Sequence, residues 1–147
     1  MNRRFGAPPR DGIRYPPRPG AYVIIDAGDS LLASFQDAPV PELQLPGGGI
    51  DPGEGTLSAL HREVLEETGY RIHGLRRIGM FHRYTFMPDY DRYAQKLCSI
   101  YTARIGPRVS APTEAGHSAV FLPWTVAVER LGVAGDRDFV ARYLATR

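Results

Sequence analysis

The segment from Gly47 to Tyr70, GGGIDPGEGTLSALHREVLEETGY, constrains this chain more than any other. It divides into a glycine-dense loop, Gly47 to Gly55, and a helical pattern from Thr56 to Thr68. Pro52-Gly53 has the order of a type II turn, in which proline sets φ and glycine takes the positive φ that follows. Thr56 is the expected N-cap and Gly69 the expected C-cap. At about 100° per residue, Leu57, Leu60 and Val64 share a face that should pack on a sheet. Glu63, Glu66 and Glu67 fall on a neighbouring stripe. Ala59, on the same side, is too small to cover them. Carboxylates clustered in this way repel one another, and the C-terminal half of a helix disfavours negative charge. A solvated acidic face held by Arg62 and Arg71 would tolerate the cluster. A bound divalent cation would explain it, because the constrained loop feeds directly into the helix. Such a loop lets carbonyls reach a metal and lets N–H groups approach phosphate. Carboxylate oxygens suit Mg²⁺ or Mn²⁺. Mg²⁺ commonly takes one or two carboxylates, with water and substrate phosphate completing its shell.

The rest of the chain reads as strands with few helices. Ala21 to Asp26 (AYVIID) and Leu31 to Phe35 flank a Gly28-Asp29 turn and form an expected hairpin. Glu42 to Leu45 is a short third strand ended by Pro46. Arg71 to Phe86 reads as strand with a break near Gly74, Met87 to Tyr93 as a loop, and Leu97 to Ile105 as a strong strand. Gly106 to His117 is a polar loop. Ala119 to Leu122 is a short strand. Trp124 to Leu131 and Asp136 to Ala145 are helical. This pattern predicts one mixed sheet with helices on its faces. Residues 1–19, rich in Pro, Arg and Gly, read as an extended, partly disordered arm, with order beginning near Gly20 and a single domain over residues 20–147.

The glycine loop and its helix resemble the Nudix box, G-x5-E-x7-R-E-U-x-E-E-x-G-U, where U is bulky and apolar. Gly48, Glu54, Arg62, Glu63, Val64, Glu66, Glu67 and Gly69 match at the required spacing, and Tyr70 takes the last U position. The resemblance implies an α/β/α sandwich with a central mixed β-sheet, and a Mg²⁺-dependent hydrolase that cleaves a pyrophosphate linkage in a nucleoside-diphosphate derivative of the nucleoside triphosphate, nucleotide sugar or dinucleotide type. It implies Glu63 and Glu67 as main metal ligands. Glu66 is implied as a further ligand or as the group that orients the attacking water, and the Gly47 carbonyl as a backbone ligand. Arg62 would position a box glutamate, and Glu54 would belong to that network. The general base varies among members, and Glu114 and His117 are the nearest candidates downstream. Gln36 stands where many members carry a cation, so Arg18 and Arg83 become the expected phosphate contacts, with Glu114 beside the substrate.

The run Phe81 to Tyr93 offers aromatic rings for a base, or strand residues for the core. His61, His73 and His82 show no ligand spacing. The chain carries a net charge of +2, with the excess in Arg3, Arg4, Arg10, Arg14 and Arg18. That arm permits action on RNA 5′ ends, but the near-neutral balance favours a small nucleotide partner over nucleic acid. A retired, nucleotide-binding sensor is the reading from another class, and the complete set of box glutamates argues against it. Cys98, the only cysteine, sits in an apolar run and is expected to be buried and inert, which fits a cytoplasmic protein. No apolar run approaches the roughly 18 residues of a membrane span, and the N-terminus lacks the apolar stretch of a signal peptide. A homodimer is left open.

Overall fold

The structure is a computed structural model that describes residues 3–147. The first two residues of the arm lie outside the described range. Strands β1 (Arg3–Arg4), β2 (Pro17–Asp26), β3 (Ser30–Gln36), β4 (Glu42–Gln44) and β5 (Gly47–Gly49) precede helix α1 (Thr56–Thr68). Strands β6 (Tyr70–Met87), β7 (Arg92–Arg108) and β8 (His117–Pro123) follow, then α2 (Trp124–Arg130) and α3 (Ala134–Thr146). The eight strands form one sheet in the order β1-β6-β7-β2-β3-β4, with β5 paired to β2 and β8 to β3. The sheet is mixed: β2 runs parallel to β7 and β1 parallel to β6, while β6 and β7 form a long antiparallel hairpin.

Alternation along β2 builds both halves of the core. Val23 and Ile25 point to the face covered by α1, where they meet Leu60 and Val64. Ile24 points to the other face, among Leu122, Trp124 and Phe139. Successive strand residues face opposite sides, so a run such as AYVIID suits a strand buried on both faces. The expected α/β/α layering follows from this.

Several boundaries differ from expectation. The helix N-cap is Gly55, in extended conformation, and Thr56 is already helical. Leu57 was expected on the packed face and is 49% exposed. The face that packs carries Ala59, Leu60, Val64, Glu67 and Thr68, so the helix is rotated toward its small and polar residues. The first three glycines of the expected loop are strand β5, paired antiparallel to Gly20–Tyr22. The expected break at Gly74 is a bulge inside a continuous strand: Gly74 takes φ +69° where the β6–β7 register slips between His73 and Arg76. The loop after Met87 is a single 3-10 turn, Pro88–Tyr90, closed by Asp91 at φ 48°.

Order also begins well before Gly20. Strand β2 starts at Pro17, and the Arg3–Arg4 strand pairs with Phe81 and His82. Phe5 meets Phe81 edge-on at 5.4 Å, and Tyr15 meets Tyr84 and Tyr93 at 5.0 and 5.4 Å. These isolated aromatic anchors hold a Pro/Arg segment that has no periodicity of its own. Among the described residues no helix is long and apolar enough to cross a membrane.

Candidate active site

Helix α1 ends at Gly69, which takes φ +79° and returns its N–H to the Leu65 carbonyl at 2.9 Å. A Cβ there would collide with the Ser110 carbonyl, so glycine is required both by conformation and by space. The same turn ties the loop after β7 to the helix: the Glu66 carbonyl accepts the N–H groups of Thr113 at 2.8 Å and Glu114 at 2.9 Å. On the opposite side, β5 lies against the helix. A Cβ on Gly48 would stand 3.0 Å from the Glu63 carboxylate. The bare backbone of β5 therefore lets the helix glutamates sit against it.

Glu63 and Glu67, one helical turn apart, line a cavity of about 570 Å³ together with Gly47, Gly48 and Gly49. Glu67 is only 3% exposed. Burial, and then the neighbouring Glu63 carboxylate, push its pKa well above the usual range, and the Gly47 N–H opposes them. Burial also raises Glu63, with Arg62 acting against the rise. Carboxyl groups this close cannot both ionise freely, and they titrate as a pair. Glu67 Oε1 is buried without a hydrogen-bond partner. His117 Nδ1 lies 3.7 Å from that oxygen. Burial lowers the pKa of His117, and its Nδ1 is 2.8 Å from Ser34 Oγ, so the ring does not neutralise Glu67. A buried, unpartnered carboxylate oxygen beside a second carboxylate is a donor set that fits a hard divalent cation. Among the described residues no three His, Cys, Asp or Glu side chains converge as a ready-made ion site, and Glu66 does not line the cavity.

Arg62 organises the remaining box residues. Its Nε and Nη2 donate to the Glu54 carboxylate at 2.9 and 3.1 Å, and Nη1 reaches Glu63 and Glu66 at 3.3 Å. The fork lowers the pKa of Glu54 and raises that of Arg62, whose side chain is 39% exposed. Glu54, Arg62 and Glu66 thus form a network beside the cavity. Glu63, Glu67, Gly47, Glu114, Arg18 and Arg83 line it.

Several lining residues were not anticipated. Lys96 and Asp136 face the cavity, as does Tyr22. Lys96 belongs to an alternating strand whose facing could not be read without the register. Asp136 stood at an expected helix start, where an acid is unremarkable, yet it is 4% exposed, and burial lifts its pKa from 3.8 to about 7 against the pull of Arg83. Arg18 lies over the Tyr90 ring at 4.7 Å. His61 and His73 are exposed, away from the cavity. Cys98 is buried, and burial raises its thiol to about 11, so it is a weak nucleophile.

Residues 16–143 match the family described as the NUDIX domain. A Bacillus subtilis (strain 168) protein with a provisional 8-oxo-dGTP diphosphatase name is 42% identical over 72 residues, 48% of this chain and 47% of that protein. An RNA pyrophosphohydrolase of Cereibacter sphaeroides (strain KD131) is 41% identical over 61 residues, 40% of this chain and 38% of that one. The chain thus spans no more than about half the length of these curated relatives. A solved structure, a NUDIX hydrolase from Nitrosomonas europaea, superposes with a TM-score of 0.72 over 88% of this chain and 90% of that one, at 19% identity.

Proposed function

Because the chain belongs to the Nudix family, we propose that it hydrolyses a pyrophosphate linkage in a nucleoside-diphosphate derivative, with Mg²⁺ or Mn²⁺ held by Glu63 and Glu67. The observation that carries this reading is the buried, unpartnered Glu67 Oε1 facing a cavity beside a second carboxylate. A divalent ion there supplies charge neutralisation at phosphate oxygens and a more acidic water.

The chain's own groups do the rest. A water oxygen forms a bond to one phosphorus, the bridging P–O bond breaks, and the water proton passes to a base. Glu66, on the Arg62 fork, and Glu114, on the cavity wall, are the candidates for that base. Arg62 holds the glutamates in register, Glu54 anchors Arg62, and the Gly47 backbone completes the metal end. Arg18 and Arg83 neutralise phosphate oxygens, and Tyr90 and Phe86 at the wall offer stacking surfaces. Positioning and charge neutralisation are most of what phosphoryl chemistry asks of a protein. The arm that precedes β2, residues 1–16, is accessory to a catalytic domain that begins with β2 at Pro17, three residues before the expected boundary. The buried thiol of Cys98 and the near-balanced charge fit a cytoplasmic setting.

A second reading, action on RNA 5′ ends, is favoured by the Cereibacter relative's name and by the basic arm pinned along β6. One experiment addresses both. The protein and its Glu67→Gln variant are incubated with Mg²⁺ and a panel of nucleotide derivatives and triphosphorylated RNA, and products are resolved by mass spectrometry. Cleavage at a P–O–P bridge by the unmodified protein alone is the expected result. Equal turnover by the variant, or none by either, would overturn the proposal.

A further inference from the structure

Arg18, Lys96 and Arg83 occupy one rung across three neighbouring strands. Strand β2 pairs with β7 at Arg18 opposite Lys96, and β7 pairs with β6 at Lys96 opposite Arg83. All three side chains line the cavity. Adjacent strands lie roughly 4.8 Å apart, so the rank covers about 10 Å of wall.

Such an arrangement is costly without an anion. Like charges directly opposite on neighbouring strands destabilise a sheet. Burial lowers the pKa of Lys96, and Arg83 and Arg18 lower it further. Arg83 Nε is buried with no hydrogen-bond partner, and an unsatisfied buried donor costs free energy. The acids that face the rank compensate only in part. Asp136, with its pKa lifted to about 7, is half protonated near neutrality. Glu42 accepts a hydrogen bond from Gln44 at 2.9 Å.

The rank also has a direction. A Cβ on Gly49 would lie 3.3 Å from the Arg18 guanidinium, and one on Gly48 would lie 3.0 Å from the Glu63 carboxylate. The wall therefore runs from the glutamate pair, across adjacent glycines, to Arg18, then Lys96, then Arg83.

We propose that Arg18, Lys96 and Arg83 form a second anion site, which takes a phosphate group lying beyond the scissile bridge, with Lys96 at its centre. The inference rests on the hydrolase reading above and narrows it: the preferred substrate carries a third phosphoryl group, where a nucleotide sugar offers a neutral ring. That group is either the end of a triphosphate chain or a phosphate ester on the ribose. Both present the same dianionic oxygens.

The test is calorimetric binding without divalent metal. The probes are inorganic tripolyphosphate and adenosine 3′,5′-bisphosphate, with pyrophosphate as the shorter control. The full chain is compared with Lys96→Met, Arg83→Met and the charge-retaining Lys96→Arg, each checked for an unchanged circular dichroism spectrum. The expected result is tighter binding of one longer probe than of pyrophosphate, weakened about tenfold or more in both methionine variants and restored in Lys96→Arg. Tripolyphosphate as the better probe assigns the chain end; the bisphosphate assigns the ribose ester. Binding unaltered by either methionine variant, or no preference over pyrophosphate, would overturn the inference. The readout does not involve hydrolysis. Loss of turnover on every panel substrate, with the rank still binding its probe, would therefore count against the hydrolase reading alone.

Discussion

Asp136 offers a measurement in which sign and size follow from its surroundings. It is buried, and its pKa lies at about 7 in the folded chain against 3.8 for the free group. Burial raises it, Arg83 pulls it back, and Glu42 adds to the rise. Below about pH 4 the group is protonated in both folded and unfolded chains and has no effect on stability. Between about 4 and 7 the unfolded chain loses the proton while the folded chain keeps it, so stability falls as pH rises. Above about 7 both are ionised and the loss is complete. A displacement of about three pKa units corresponds to about 4 kcal/mol, taken as an upper limit. Asp136→Asn mimics the protonated form and lacks this dependence. Urea unfolding of both proteins from pH 4 to pH 9 should show the variant gaining on the unmodified chain up to about pH 7, with a plateau above. The difference between the two curves removes other titrating groups that they share. A difference that stays flat across this range, or one that favours the unmodified chain as pH rises, would refute the electrostatic reasoning.

Arg62→Ala should lower kcat by about tenfold or more in steady-state assays, since it frees three glutamates. The same change should alter stability by no more than about 1 kcal/mol in denaturant titrations, because the fork is more than a third exposed. Gly69→Ala forces a side chain into a positive-φ position against the Ser110 carbonyl; thermal unfolding should report a loss of more than about 1 kcal/mol. Asp26 is pushed up by burial but pulled down to about 2 by hydrogen bonds from Arg147, Tyr143 and the Gly28 N–H. Its contribution is present above about pH 4 and is lost as pH falls through about 2. Arg147→Ala should therefore move the acid-unfolding midpoint, followed by circular dichroism, to higher pH.

The helix that carries the box glutamates was legible because its pattern is local. Spacing alone placed Glu63 and Glu67 one turn apart and put a glycine at the end of the helix. Apolar periodicity found only part of the buried side of the helix: Leu60 and Val64 pack as expected, and Leu57 does not. Leu57 points outward because the packed face is taken by Ala59, Leu60 and Val64 together with the buried Glu67 and Thr68. A periodicity argument counts apolar residues, so a buried carboxylate works against it. The arm failed for a related reason. Phe5 and Tyr15 are single anchors in a Pro/Arg segment, and their partners, Phe81, Tyr84 and Tyr93, lie on strands distant in sequence. Lys96 and Asp136 were invisible because pairing register and tertiary packing put them in the cavity.

The two ends of the cavity explain each other electrostatically. Glu63 and Glu67 crowd negative charge at one end, and Arg18, Lys96 and Arg83 crowd positive charge at the other. Neither group neutralises its opposite directly. Glu67 Oε1 and Arg83 Nε are both left without hydrogen-bond partners, and burial shifts Glu67 and Lys96 toward their neutral forms. A folding sequence under no other demand would pair such charges or replace them with apolar residues, since unpaired buried charge is among the most costly features of a protein interior. A cation at the acidic end and a phosphate chain running along the basic end satisfy both sets together. A cation and a polyanion held in one partly desolvated cavity also attract each other directly. Metal and polyphosphate are then expected to bind with positive coupling, by a factor that is the same whichever is added first. Titrating tripolyphosphate into the Glu67→Gln variant with and without Mg²⁺ measures that factor, and a coupling as large as in the unmodified chain would break the link drawn here between the two ends.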